Sequence, residues 1–119
     1  MTKPQLYRDF IDRMADECRT GQGAVGPSRA RSGIWNAEAT TEQLENQHKI
    51  NLLLKTLGST QRETLAEMLA HAFQRGVFET LKALEDCDIS PFQGGYEGSP
   101  YHDFIGRVDE PAWEWPDDE

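Results

Sequence analysis

The sequence has little cysteine. Cys18 and Cys87 are the only two in 119 residues, and the first ten residues lack the apolar core of a secretory signal. Two distant thiols without a signal indicate buried, unpaired cysteines in a reducing compartment. The three histidines show no H-x-x-x-H or H-E-x-x-H spacing, so no zinc or other metal site is predicted. We therefore expect a cytoplasmic protein without a metal centre.

Long apolar runs and positive charge are also scarce. No run approaches the ~18 apolar residues that a transmembrane helix needs, so we expect no membrane segment. Lys and Arg number 12 against 21 Asp and Glu, which gives a formal net charge of −9. Negative charge of this size repels nucleic acid and anionic membranes at long range, and it favours a basic protein partner.

Helical periodicity is what the sequence does contain. Ile50, Leu53, Leu54 and Leu57 recur at the i, i+3, i+4, i+7 spacing that gathers side chains on one helix face. A short break over residues 57–60 follows them, and the pattern then resumes. Similar patterns predict four main helices and a short fifth one, over residues 5–18, 41–57, 60–75, 77–87 and 100–108.

Local signals set the predicted helix ends. Thr60 and Glu63 form a T-x-x-E capping box at the start of the third helix. Gly76 is predicted to end that helix, because glycine adopts the left-handed C-cap conformation readily. A chain of this length supports one core. Residues 1–119 are therefore predicted to form a single all-α domain, a compact antiparallel arrangement of four helices with a short fifth helix and an irregular acidic tail.

Residues 19–39 are rich in glycine, serine and arginine and have no sustained period. We predict a long loop here, with Ile34 and Trp35 pinning its far end to the core. Residues 21–26 match G-x-G-x-x-G, but a helix precedes them where a dinucleotide site needs a strand, and Pro27 follows instead of an apolar helix. The sequence therefore predicts no dinucleotide, and it indicates no other cofactor.

The same stretch carries a local charge of +3 from Arg19, Arg29 and Arg31. Arginine forks can bind a phosphate or carboxylate ligand through paired hydrogen bonds. Alternatively, the arginines pack beside the acidic tail, residues 109–119, as an internal charge complement. We favour the second interpretation.

A second apolar row lies on the helix predicted over residues 41–57. Leu44, His48 and Leu52 follow i, i+4, i+8 spacing, away from the main apolar face. A helix that is apolar on two sides is either central in its domain or half-buried in an interface. We favour the central position. A homodimer interface formed by these three residues is the alternative, so the protein is expected to be a monomer or a homodimer.

The densest group of reactive side chains is Tyr101, His102 and Asp103, with Arg107 one helical turn further on. Adjacent residues on a helix point in different directions, so they cannot form a catalytic relay by themselves. We predict no catalytic residues. The alternative is a ligand site that combines this group with the preceding arginines, namely Arg29, Arg31, Tyr101, His102, Asp103 and Arg107.

The end of the chain is its most distinctive segment. Residues 109–119 contain six acids, two tryptophans and no basic residue. Tryptophan is common in interface hot spots, and the acids would attract a basic surface. The partner-binding candidates are therefore Trp113, Trp115, Asp117, Asp118 and Glu119. The competing interpretation, which we favour, is that the tail folds back and buries its tryptophans on the domain.

Three segments resemble a family of small acidic bacterial proteins of unknown function. The first two are Ile50–Leu54 and Gln61–Leu69. The third is Tyr101–Arg107, with the later Trp115–Pro116. The resemblance covers about two thirds of the chain and consists of core pattern. It implies a mostly helical fold and, because the family lacks an assigned activity, no particular function.

The function that these observations favour is a small cytosolic protein-interaction module without catalytic activity. It would act as an acidic, immunity- or antitoxin-like partner of a basic protein. The alternative is a small-molecule or anion-binding protein, or an unrecognised enzyme. In any of these alternatives, the ligand site would be formed by Arg19, Arg29 and Arg31 together with Tyr101, His102, Asp103 and Arg107.

Overall fold

A computed structural model of the chain describes residues 5–90, 99–110 and 115. All regular structure in these residues is helical, so the predicted all-α class is confirmed. Four helices and a short fifth are present: α1 (Gln5–Arg19), α2 (Gln22–Ser32), α3 (Glu45–Thr56), α4 (Ser59–Asp86) and α5 (Pro100–Asp109). No described helix is long and apolar enough to cross a membrane.

The loop predicted over residues 19–39 is wrong, because its middle forms α2. Gly23 lies where α1, α2 and α4 meet, and the absence of a side chain permits the close approach. The helix ends at Gly33, whose φ of 80° gives a left-handed C-cap. Packing against α4 therefore overrides the poor helix propensity of this glycine-rich segment. Trp35 packs beyond α2 as expected, whereas Ile34 is exposed.

The predicted helix end at Gly76 is also wrong, since α4 continues through it for 28 residues. An interior glycine costs a helix only about 1 kcal/mol relative to alanine. Contacts with α1, α2 and α5 along the length of α4 offset that cost. The break between α3 and α4 is present as predicted. However, the N-cap of α4 is Gly58, and not Thr60 as predicted. Glu63 does not cap the helix but forms an ion pair with Arg31 of α2.

Helix α4 is the central helix of the molecule. The dimensions of the molecule are 57 × 28 × 21 Å. α2 runs antiparallel to it, because Gly23 approaches Phe73 while Arg31 approaches Glu63. Helices α1 and α5 pack along the C-terminal half of α4. Helices α2 and α3 pack along its N-terminal half. The described residues therefore form two apolar clusters. One centres on Tyr7, Ile11, Leu81 and Phe104, and the other on Ala30, Leu54 and Ala66.

Helix α3 lies at the edge of the molecule, which contradicts the predicted central position. Leu54 is its only fully buried residue, while Leu44 is 52% exposed and Leu52 is 48% exposed. The reason is that Leu54 joins Ala30 of α2 and Ala66 of α4 in one buried cluster, so the described helices cover one face of α3 only. The second apolar row therefore faces outward and contributes nothing to the core.

Candidate functional site

An apolar groove runs between α1 and α4 and has a volume of about 490 Å³. One wall comes from α1, where Phe10 and Met14 lie one turn apart. The other wall comes from α4, between residues 72 and 84, a stretch of about 18 Å at the helical rise per residue. The lining residues are Phe10, Met14, Ala72, Phe73, Gly76, Val77, Thr80, Leu81 and Leu84.

The groove exists because α1 and α4 each divide their apolar residues between two sides. Tyr7 and Ile11 face inward and are fully buried in the cluster shared with α5. Phe10 and Met14 are only partly buried and face the groove. α5 covers the inner side, and none of the described helices covers the outer side. The result is a three-helix assembly with one face suited to a further helix.

The groove offers almost no free polar group. Among the described lining residues, only Thr80 has a polar side chain, and its hydroxyl donates to the backbone oxygen of Gly76 at 2.8 Å. Ala72, Gly76 and Thr80 are exposed, small and spaced four residues apart. Another backbone can therefore come close to α4 along this line. A ligand of this groove gains its binding energy from apolar contact, not from hydrogen bonds.

Acidic residues predominate beside the groove. From residue 72 to its end, α4 carries three acids, Glu79, Glu85 and Asp86, against two bases, Arg75 and Lys82. Lys82 is held by Asp86 at 3.0 Å, and the amine's hydrogen bond to that carboxylate raises the pKa of Lys82. Because negative charge at a helix C-terminus opposes the helix dipole, this end of α4 gains nothing in stability from its acids. All three acids already have partners: Glu79 binds Arg75, Glu85 accepts from the Ser99 hydroxyl, and Asp86 binds Lys82. They therefore contribute to the long-range negative potential and are not free binding groups.

The only described residue among the predicted tail anchors, Trp115, packs on α1. Its indole N–H donates to Asp12 Oδ1 at 3.0 Å, and its ring meets the ring of Tyr7 edge-on at 5.9 Å. Arg8 lies over the same indole at 5.6 Å. Trp115 is thus held by the domain in the way that self-docking predicts. The other anchors, Trp113, Asp117, Asp118 and Glu119, lie outside the described residues.

The group around Asp103 has a structural explanation. The hydroxyl of fully buried Tyr7 donates to the Asp103 carboxylate, and Arg107 donates to Asp12 at 2.8 Å. These bonds tie α5 to α1. Tyr101 stacks edge-on against Phe78 of α4 at 5.4 Å and also contacts the ring of His102, which is exposed.

The structure does not bring the two halves of the predicted ligand site together. Arg31 binds Glu63 near the start of α4, whereas Tyr101 contacts Phe78. Those two α4 residues lie 15 positions apart, or about 22 Å along a helix. Arg29 lies over the ring of Trp35 at 5.7 Å, in the same half as Arg31.

Two of the three arginines do share a cavity. Arg19 and Arg31 both line a space of about 290 Å³, together with Gln74 and Cys18. Each arginine already binds a carboxylate, Asp16 in the first case and Glu63 in the second. The sequence predicts that these arginines pack beside the acidic tail. The described part of the tail does not contact them, because Asp109 accepts from Gln74 and Trp115 contacts α1.

The contact between Arg31 and Glu63 gives a pH-dependent prediction. The guanidinium donates to both Glu63 carboxylate oxygens, at 2.7 and 3.1 Å, and these bonds lower the pKa of Glu63 from its ordinary value of 4.5. A lowered pKa means that the stabilisation is present above about pH 4.5 and is lost as the pH falls through the lowered value. In an NMR titration, Arg31→Gln should return the Glu63 pKa to its ordinary range, whereas Lys49→Gln should leave it unchanged. An identical Glu63 titration in the wild type and Arg31→Gln would contradict the packing of α2 on α4.

The two cysteines differ in exposure, so the prediction that both are buried holds only for Cys18. Burial raises the pKa of the Cys18 thiol. Cys87, the C-cap of α4, is exposed. Within the described residues, no group of three or more His, Cys, Asp or Glu side chains is placed to hold a metal ion.

The comparisons with known proteins identify the family but no activity. The profile of a family of unknown function, DUF6547, matches residues 1–117. The chain belongs to this family. The comparison with curated proteins and the comparison with solved structures each gave no match. The resemblance to an unknown-function family is therefore confirmed, and any function must be argued from the residues themselves.

Proposed function

We propose that this member of the DUF6547 family is a small cytosolic protein-interaction module without catalytic activity. It would bind an amphipathic helix of a basic protein, in the manner of an immunity protein or antitoxin. The observation that carries the proposal is the open apolar groove between α1 and α4. Because Trp115 is held against α1, we place the partner-binding surface at the groove and not at the acidic tail.

The shape of the groove favours a helix over a small molecule. Small-molecule sites enclose their ligands and place a few polar groups to orient them. Among the described residues, nothing covers this groove along its length, and none of them offers a polar group for that task. Its length of about 18 Å corresponds to some three helical turns. An amphipathic helix that lays its apolar face into such a groove is a common mode of recognition.

Charge favours a basic partner. The chain carries −9 overall, and the part of α4 that lines and follows the groove carries three acids against two bases. Long-range attraction of this kind raises association rates and weakens as salt screens it. The alternative of an anion-binding or catalytic site has less support, because Arg19, Arg31 and Arg107 already hold carboxylates. In addition, Arg31 and Tyr101 contact α4 at residues 15 positions apart.

The groove can be tested at Gly76, which is exposed and has open space where a side chain would project. Gly76→Gln should place its side chain in the groove, whereas Gly76→Ala keeps the groove open and improves helix propensity. The probe is a synthetic amphipathic helix of leucine and lysine, with a leucine and glutamate helix of equal length as the charge control. Binding is measured by fluorescence anisotropy at low and high salt.

We expect the wild type and Gly76→Ala to bind the lysine helix, more weakly as salt increases, and the glutamate helix to remain unbound. Gly76→Gln should weaken binding by about tenfold or more, which corresponds to about 1.4 kcal/mol. Equal binding by Gly76→Gln and Gly76→Ala would show that the groove is not the site. Failure of the wild type to bind the lysine helix would also contradict the proposal.

A further inference from the structure

The outer face of α3 is the second unexplained apolar surface. The exposed large apolar side chains here are Ile34 (53%), Leu44 (52%), Leu52 (48%) and Leu53 (53%). These are half of the exposed large hydrophobic residues found in the described parts of the chain. Apolar exposure concentrated in one place marks an interaction surface more often than scattered single residues do.

A depression of about 300 Å³ lies within this surface. Its walls come from α3 and from the segment that follows α2, and they include Ile34, Ala37 and His48. Asn51 fixes the two elements together, because its side-chain oxygen accepts from the backbone N–H groups of Trp35 and Asn36 at 2.6 and 3.1 Å. Its amide donates to the backbone oxygen of Asn36 at 2.7 Å. The surface is thus held in a defined shape.

Leu44 gives this surface an unusual backbone. It is the N-cap of α3 and has a φ of 58°, in the left-handed region that leucine rarely adopts. Such a conformation is unfavourable for leucine and persists only where the surroundings of the residue require it. Yet Leu44 is half exposed in the single chain, so burial within one chain does not explain its left-handed conformation.

Charge favours a second copy of the chain as the occupant of this surface. Residues 20–58 carry four basic and three acidic side chains, a net charge of +1, so the remaining residues carry −10. Two copies of the chain repel each other at their acidic ends and meet most favourably at this nearly neutral end. An outside partner attracted by charge would approach the opposite end instead.

The surface also has the symmetry that a second copy requires. A two-fold interface brings the same residues together from both copies, so the patch must match itself. In the row Leu44, His48, Leu52, a leucine lies four residues before His48 and another lies four residues after it. An antiparallel pair of α3 helices with the axis near His48 sets Leu44 of one copy against the other copy's Leu52. This arrangement keeps the two Lys55 side chains at opposite ends of the contact.

We propose that the outer face of α3 is a homodimer interface, formed by two copies of this chain around a two-fold axis near His48. This surface is separate from the groove between α1 and α4, so the inference does not depend on the proposed function. The dimer leaves both acidic ends pointing outward, each with its own groove.

The proposal is tested by sedimentation velocity at micromolar concentration on the wild type and two exposed-leucine variants. Leu52→Glu places a charge in the interface. Leu6→Glu is the matched control, because Leu6 is 75% exposed at the other end of the molecule. Circular dichroism establishes that each variant keeps its helices.

We expect the wild type and Leu6→Glu to sediment at 27 kDa, twice the 13.5 kDa of one chain, and Leu52→Glu to sediment as a monomer. Added salt should strengthen the wild-type dimer, since it screens the repulsion between the acidic ends. A monomeric wild type at all concentrations and salt levels would overturn the proposal. So would a Leu52→Glu dimer, or loss of the dimer in Leu6→Glu, because either result would place the contact elsewhere.

Discussion

Phe104→Ala is expected to destabilise the protein by about 3–5 kcal/mol, the usual cost of removing a buried phenylalanine ring from a core. Phe104 is fully buried in the cluster where α1, α4 and α5 meet. Its loss leaves a cavity in this cluster, where Tyr7 is held in place by its hydrogen bond to Asp103. The change is a large part of the 5–15 kcal/mol that typically holds a domain folded.

Leu54→Ala is the matched variant in the second cluster, with an expected cost of about 2–5 kcal/mol. The same helix, α4, passes through both clusters without a break. We therefore expect each variant to shift one cooperative urea transition, monitored by circular dichroism, without a change in its slope. Two separate transitions, one sensitive to Phe104→Ala and the other to Leu54→Ala, would show that the halves fold independently.

Gly23→Ala is expected to cost about 2–3 kcal/mol through overpacking. A Cβ atom at this position would lie 2.7 Å from Phe73 Cδ1, 2.8 Å from the Glu17 carbonyl oxygen and 2.9 Å from Cys18 Cα. Two of these three atoms belong to the backbone of α1, so no rotamer change relieves the contact. The helix α2 must move away from α1, and it loses packing against α4 as it does so.

Gly76→Ala is the control for this second prediction, because the same substitution in α4 meets no atom within 4 Å. It should stabilise the protein by about 1 kcal/mol through helix propensity alone. Thermal unfolding of the two variants thus separates close packing from propensity. Similar changes in stability would contradict the approach of α1, α2 and α4 at Gly23.

The sequence predicted those parts of the fold that depend on local pattern. The apolar spacing in α1 and α3, the break before α4, and Pro100 at the start of α5 each identify their element correctly. The structure departs from prediction where packing decides. Gly23 and Gly76 both resemble helix breakers in the sequence, yet one permits a close contact and the other lies within a helix held along its whole length.

The candidate site was harder to predict. Phe10, Met14, Val77 and Leu84 all fit the periodic pattern of a core, and a pattern states which residues are apolar without stating what covers them. Only the three-dimensional arrangement shows that α5 covers one side of α1 and α4, while no described helix covers the other side. Trp115, by contrast, was correctly expected to pack on the domain.

The difference in exposure between the two cysteines provides a natural attachment point for a spectroscopic label. A maleimide dye will react with Cys87 well before Cys18, whose thiol is buried and slow to ionise. Cys87 lies three residues beyond Leu84, at one end of the groove. The wild-type chain can therefore carry a single dye beside the groove without any engineered substitution, and that dye can report when a helix enters it.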